Sequence, residues 1–261
     1  MVYRKQIEGY NRQLKSQLQR NELELKMARR VQVNLLLAEL PQLPNWEFAA
    51  RWLPAQQDAG NFYDFIVFQD GQLGLVVGDL TDKGVPAALF MAFAYNKVLT
   101  CMTSAQIPAQ GIIEANHMIC SESSHGLYGS LVYTHIDPLS GEVTYVNAGH
   151  GPLQLYHASQ AQFILLVDTS MTLGTDAEAT FEQSSLRLEP GDFILFYTDG
   201  DQDNQNEAGK PFGEERLLNV IQENARGSTQ GIVIALENAL EVFRGATDRF
   251  DDITIVNARR Q

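Results

Sequence analysis

Three acidic positions stand at the ends of strongly apolar, strand-like runs. Asp79 follows Leu73-Gly74-Leu75-Val76-Val77 after one glycine. Asp199 follows Phe193-Ile194-Leu195-Phe196-Tyr197 after one threonine, and Asp251-Asp252 immediately precedes Ile253-Thr254-Ile255-Val256. An acid at a strand end ordinarily forms a turn or caps a helix. Three of them, each beside a run suited to the centre of a core, are compatible with a second use, in which carboxylates from different strands converge on shared cations. Clustered carboxylates repel one another unless cations hold them. Oxygen donors of this kind suit Mg²⁺ or Mn²⁺. Five His and two Cys are too sparse for a typical zinc site. Spacing alone leaves both uses open.

The surrounding sequence supplies the elements that must position these acids. Phe65-Ile66-Val67-Phe68 and the run from Leu73 to Val77 flank Asp70-Gly71, a hairpin signal. Residues 86–103 read as a buried helix with Pro86 in its first turn, and 107–122 as a second helix. Strands are expected at about 129–136, 142–147, 152–156, 162–167, 184–188, 192–197 and 252–257, and helices at 213–224 and 229–243. Hairpin-linked strands with helices inserted in pairs predict an α+β domain of antiparallel sheets covered by helices. Ahead of it, residues 3–37 contain Gly9 but no other glycine and no proline. Ile7, Leu14, Leu18, Leu25, Ala28 and Leu35 form a heptad-like seam interrupted by Asn11, Asn21 and Gln32. A helix of this length extends roughly 50 Å, and Pro41 and Pro44 end it.

Composition narrows the functional class. The chain has 261 residues, 44% of them hydrophobic, so a sizeable core can form. A formal charge of −13 argues against a nucleic-acid partner, whose binders carry basic surfaces. No apolar run approaches the ~20 residues that span a bilayer, so membrane insertion is not expected. The polar, charged N-terminus shows no secretory signal. Cys101 and Cys120 match neither a metal spacing nor a disulfide framework, and a reducing cytoplasm is the simplest setting.

Several blocks together resemble the SpoIIE/RsbU branch of the PPM family of metal-dependent serine/threonine protein phosphatases. They are Leu53-Pro54-Ala55, Ala59-Gly60-Asn61-Phe62-Tyr63-Asp64-Phe65, and Val77-Gly78-Asp79-Leu80-Thr81-Asp82-Lys83-Gly84-Val85-Pro86-Ala87-Ala88-Leu89. Tyr145-Val146-Asn147-Ala148-Gly149-His150, Leu188-Glu189-Pro190-Gly191-Asp192, Tyr197-Thr198-Asp199-Gly200, Phe212-Gly213-Glu214-Glu215-Arg216-Leu217 and Asp251-Asp252-Ile253-Thr254 follow in the family's order and at its usual separations. The incoming helix with Ala28-Arg29-Arg30-Val31-Gln32 also fits, so the resemblance covers about residues 25–257.

The resemblance implies a sandwich of two antiparallel β-sheets flanked by helices. Together with the long N-terminal helix read from residues 3–37, the resemblance divides the chain into a helical linker, residues 1–38, and a phosphatase domain, residues 39–261. It also implies two Mn²⁺ or Mg²⁺ ions at one edge, with Asp79 bridging both, the Leu80 backbone carbonyl on the second, and Asp199 and Asp251 on the first. Two hard cations about 3.5–4 Å apart lower the pKa of a bound water and clamp a phosphate for in-line attack, so no protein nucleophile is needed. The implied substrate is phosphoserine or phosphothreonine on a regulatory protein, in this branch often a small anti-anti-sigma (STAS) protein.

The sequence departs from the family at Asn61, where the usual pattern has Asp serving the second metal directly or through its waters. An amide is neutral and offers one oxygen instead of two, so the second metal is expected to bind more weakly and the first to be spared. The run Asp201-Gln202-Asp203 is a lesser departure at the rim. Other residues take plainer readings. His150 belongs to a structural turn, and His125, His135 and His157 have no partner spacing. Cys101 and Cys120 are buried helical fillers, Lys83 is a solvated charge, and Trp46 and Trp52 are core residues. The alternative function is a phosphatase-fold binding module that hydrolyses slowly or not at all, favoured by Asn61 and opposed by the retention of Asp79, Asp199 and Asp251. A two-metal nuclease fits the carboxylates but neither the blocks nor the charge.

The narrow apolar seam predicts a homodimer through residues 3–30. Removing the first 25 residues is expected to leave a folded monomer, read by light scattering. A full chain that stays monomeric at high micromolar concentration contradicts the coiled coil.

Overall fold

Period-two alternation in ten strands builds two five-stranded sheets, each with one face turned toward the other. The computed structural model describes residues 10, 13–17, 19–20, 39–53, 60–80, 85–122, 126–167, 170–198, 205–247, 249 and 252–261. The first sheet has the order β1-β10-β9-β6-β7 and the second β2-β3-β4-β5-β8, with antiparallel pairing throughout. The strands are β1 Trp46–Leu53, β2 Asn61–Val67, β3 Leu73–Leu80, β4 Gly129–Ile136, β5 Glu142–Ala148, β6 Leu153–His157, β7 Gln162–Leu166, β8 Gln183–Arg187, β9 Phe193–Tyr197 and β10 Ile253–Arg260. Helices α1 (Val85–Ser104) and α2 (Pro108–Glu122) cover the second sheet, while α3 (Glu214–Asn224) and α4 (Thr229–Arg244) cover the first. The expected sandwich of antiparallel sheets flanked by helices is therefore observed.

Three apolar layers follow from the alternation. Between the sheets, Leu73, Leu75 and Val77 of β3 and Val132 and Ile136 of β4 meet Ile194 and Phe196 of β9 and Val256 and Ala258 of β10. The intervening residues face outward. Phe62, Val76, Leu131 and Tyr133 pack under α1 and α2, and Phe193, Leu195, Ile253 and Ile255 under α3 and α4. Residues of even number on β10 and odd number on β3 therefore point into the sandwich, and this parity governs the site described below.

The differences from expectation have local causes. β1 is not evident in the sequence because its apolar run is broken, with Glu47 between Trp46 and Phe48 and Ala49, Ala50 and Arg51 following. Trp46 is buried, and its indole N–H donates to the Pro138 carbonyl at 3.1 Å. Trp52 is only partly buried, against the α1–α2 layer. β10 runs three residues beyond the expected end at 257, although those residues include two arginines. The Arg259 guanidinium lies over the Phe193 ring, 4.9 Å from its centroid. It also donates to the carbonyls of Ala225, at 2.6 Å, and Gly227 just past α3. A helix C-terminus accepts such a cation readily. Cys101 is buried and Cys120 half-buried, both as free thiols, so only the first is a full core filler. Burial pushes both thiols up, away from the reactive thiolate. Of the expected N-terminal helix, residues 10, 13–17 and 19–20 are helical and Leu14 is exposed. The other seam residues lie outside the described residues. Among the described residues, no helix is long and apolar enough to cross a membrane.

One close approach fixes the strand pair that carries Asp79. Phe62 lies opposite Gly78 across β2 and β3, and its ring covers the glycine. A Cβ at Gly78 would fall 2.4 Å from the Phe62 Cε1 atom. Phe62 is held in turn by an edge-on contact with Tyr95 of α1, 5.7 Å between ring centroids. Gly78→Ala is expected to cost about 1–3 kcal/mol through this overpacking, measured by urea unfolding; an unchanged midpoint would show that the ring can move aside freely.

Candidate active site at one end of the sandwich

At one end of the sandwich the inter-sheet face changes from apolar to polar. Asn61, Asp79 and Ser130 are direct cross-strand partners on β2, β3 and β4. Each continues the interior parity of its strand. The Leu80 amide donates to the Gly60 carbonyl at 3.4 Å, so the adjacent pair Asn61–Asp79 falls in the non-hydrogen-bonded register, where facing side chains lie closest. Gly60 admits the close approach of these strands, since a Cβ there would fall 2.5 Å from the Leu80 carbonyl oxygen. On the facing sheet, Thr198 continues the interior parity of β9 and Asp252 that of β10. Three strands of one sheet and two of the other thus deliver polar side chains to one mouth.

Asp252 sews the two sheets together there. Its side-chain Oδ2 accepts the Gly60 amide at 3.1 Å. Its backbone carbonyl accepts the Asn61 side-chain amide at 3.4 Å and the Thr198 hydroxyl at 3.3 Å. The Thr198 oxygen in turn accepts the Thr254 amide at 3.2 Å. Asp252 and Asn61 are almost wholly buried, at 6% and 2% exposure, so each hydrogen bond satisfies a group whose isolation would be costly.

His150 makes a second cross-sheet tie. One ring nitrogen, Nδ1, lies 3.1 Å from Ser130 Oγ, and the other, Nε2, 3.1 Å from the Tyr197 carbonyl oxygen. That carbonyl only accepts, so Nε2 carries the hydrogen and, in the neutral ring, Nδ1 accepts the Ser130 hydroxyl. The turn beneath it is closed by Asn147, whose side-chain oxygen accepts the His150 amide at 2.7 Å and whose amide donates to the His150 carbonyl at 3.1 Å. The structural reading of this block is what the geometry supports. Gln154 extends the polar ties outward, donating to the Tyr197 hydroxyl and to Glu214 of α3, both at 3.3 Å.

Of the residues singled out in the sequence, Asn61, Asp79 and Leu80 lie at this mouth. Asp199 and Asp251 fall outside the described residues, as do Lys83, His125, Asp58 and the run Asp201-Gln202-Asp203. β9 ends at Tyr197, two residues before Asp199, and β10 begins at Ile253, two residues after Asp251. Among the described residues no three His, Cys, Asp or Glu side chains converge as a metal site. The donors that face the mouth nevertheless fit a hard divalent cation. They are oxygens, and both nitrogens of the one nearby imidazole are already engaged. Asp64 points the other way, accepting the Tyr95 hydroxyl of α1 on the outer face of the sheet. Burial, then this hydrogen bond, pushes the Tyr95 phenol well above its ordinary range. His157 pairs with buried Asp192 at 3.0 Å, which also accepts the Ala158 and Glu189 amides. The Leu188–Asp192 block is therefore a turn lock, remote from the mouth. Sequence reasoning did not single out Ser130, Thr198 or the role of Asp252. Strand parity was the available signal, because Asp252 shares its face with Val256 and Ala258.

Comparison with known proteins agrees with this architecture. The sequence profile of stage II sporulation protein E matches residues 69–261. Protein IcfG of Synechocystis is 29% identical over 92% of the chain, which spans 42% of that protein's length. The phosphoserine phosphatase RsbU of Bacillus subtilis is 25% identical, covering 98% of this chain and 73% of that one. Among solved structures, the PP2C domain of SiaA from Pseudomonas aeruginosa superposes with a TM-score of 0.82 at 21% identity, covering 94% of this chain and 98% of the other. With a matching profile over most of its length and a shared two-sheet architecture, the chain belongs to the SpoIIE family of PP2C-type (PPM) phosphatase domains.

Proposed function

We propose that this domain hydrolyses phosphoserine or phosphothreonine on a regulatory partner protein, of the anti-anti-sigma (STAS) kind, with two Mn²⁺ or Mg²⁺ ions. The observation that carries the proposal is the row Asn61–Asp79–Ser130, set on the inter-sheet face at the end where β9 stops and β10 starts. That arrangement supports Asp79 and the Leu80 carbonyl as donors from one sheet, with Asp199 and Asp251 as donors from the other. Similarity to two phosphoserine phosphatases of Bacillus subtilis, RsbU and RsbP, supports the reaction class. A homodimer through the N-terminal helix is part of the same proposal.

The chain's own contribution is placement. Asp79 offers a half-buried carboxylate at the mouth, and the cross-sheet ties through Asp252 and His150 hold the strands that deliver it. Bound divalent ions supply charge neutralisation for the phosphoryl group and an acidified water. Position 61 sets how strongly the second ion is held. Its amide faces Asp79 across the ladder and donates to the Asp252 carbonyl. A carboxylate there would lose that donor and face a carbonyl oxygen, a repulsion that a bound cation reverses.

Two substitutions test the reading in hydrolysis of p-nitrophenyl phosphate and of a phosphoserine protein. Asp79→Ala is expected to reduce Mn²⁺-dependent turnover to background while the fold persists, because it removes a charged ligand from a cluster that otherwise repels itself. Full activity in that variant contradicts the proposal. Asn61→Asp is expected to tighten the second ion and raise the rate by roughly tenfold, a change of only ~1.4 kcal/mol. Tighter Mn²⁺ binding without faster hydrolysis would favour the binding-module reading. Unchanged binding and unchanged rate would remove position 61 from the site.

A further inference from the structure

The ring of His150 is tied through both nitrogens at the mouth, and the proposed chemistry does not use it. It is 6% exposed, and both nitrogens lie within hydrogen-bond distance of fixed partners. One partner, Ser130, sits on β4 directly opposite Asp79. The other, the Tyr197 carbonyl, closes β9 two residues before Asp199. The ring therefore spans the sheet that carries Asp79 and the sheet whose strand leads to Asp199. Its base is fixed by the paired hydrogen bonds with the Asn147 side chain.

We propose that His150 is a positioning residue whose imidazole sets the separation between the end of β4 beside Asp79 and the end of β9 at Tyr197. The inference rests on the metal-dependent phosphatase reading and adds a residue to it. The geometry argues against two other roles. A metal ligand needs a free ring lone pair, but Nε2 carries the hydrogen donated to Tyr197 and the lone pair of Nδ1 accepts from Ser130. A general acid or base must reach substrate or water, whereas this ring is enclosed by the ends of both sheets. A rigid aromatic with a donor at one end and an acceptor at the other suits a strut. A displacement of about 1 Å in a group that positions a ligand is enough to lower turnover by as much as 10²-fold.

The experiment compares full-length wild type, His150→Phe, His150→Gln and Ser130→Ala. Phe keeps the ring volume and removes both hydrogen bonds, Gln restores a donor and an acceptor, and Ser130→Ala cuts one arm with little change in volume. Mn²⁺ binding is read by electron paramagnetic resonance of the free ion, alongside kcat, KM and thermal unfolding of the metal-free protein. Phe is expected to bind Mn²⁺ about tenfold more weakly and to lose about tenfold in kcat with KM little changed, the signature of a misplaced site. Gln should recover most of both losses. Ser130→Ala should show a smaller loss in the same direction, and it carries the test if Phe does not fold. The proposal is overturned if Phe and Ser130→Ala bind Mn²⁺ like wild type, even if their melting temperatures fall, because His150 is then a stability element only. It is also overturned if Gln is as inactive as Phe and the pH–rate profile loses a limb, which would mark proton transfer. Wild type that takes up no Mn²⁺ would defeat the phosphatase reading itself; wild-type binding with unaffected variants defeats this inference alone.

Discussion

Two sheets that pack through apolar side chains along most of their length meet at one end through hydrogen bonds, and the rest of the site depends on that change. The interior faces of β3 and β10 remain apolar from Leu73 to Val77 and from Ala258 back to Val256, then turn polar at Asp79 and at Thr254 and Asp252. Apolar contact is non-directional and fixes the spacing of sheets only loosely. Hydrogen bonds between buried groups are directional and costly to break. The Asp252 seam and the His150 strut therefore define the width of the mouth where a hydrophobic layer could not.

This arrangement also governs how the site tolerates charge. Asp79 and Asp252 approach from opposite sheets, and the proposed ligands Asp199 and Asp251 stand two residues from the ends of β9 and β10 in the sequence. Asp252 is accommodated because its carboxylate accepts a backbone amide and its carbonyl accepts two side-chain donors. Asn61 eases the crowding further. In this chain its amide replaces a charge by a donor that ties β2 to the start of β10. Under the proposed reading, position 61 trades a tie between the sheets against a tighter hold on a cation.

Much of this was legible in the sequence, for identifiable reasons. Long apolar runs such as Phe193–Tyr197 announce central strands, and Pro86 marks the start of α1 one residue from its observed first position. Asp79 could be read because it terminates such a run. The polar network was harder to see. Ser130, Thr198 and Asp252 are ordinary residues at strand ends, and only the pairing register, which joins residues far apart in the chain, brings them to one place. β1 was hidden for a related reason, because its pairing with β10 across some 200 positions is set by tertiary packing rather than local propensity. Arg259 misled in the opposite direction, since a charge that usually ends a strand is here held over Phe193 and on carbonyls just past α3.

The claim that the mouth is a divalent-cation site is tested most directly by thermal unfolding of the metal-free protein across a Mn²⁺ titration, without reference to any substrate. If carboxylates from both sheets share the ions, binding to the folded state alone stabilises it. At a free concentration one hundred times the dissociation constant the gain is about 2.7 kcal/mol, read as a melting temperature that climbs steadily with Mn²⁺. A melting temperature that stays constant from metal-free to millimolar Mn²⁺ would contradict the account.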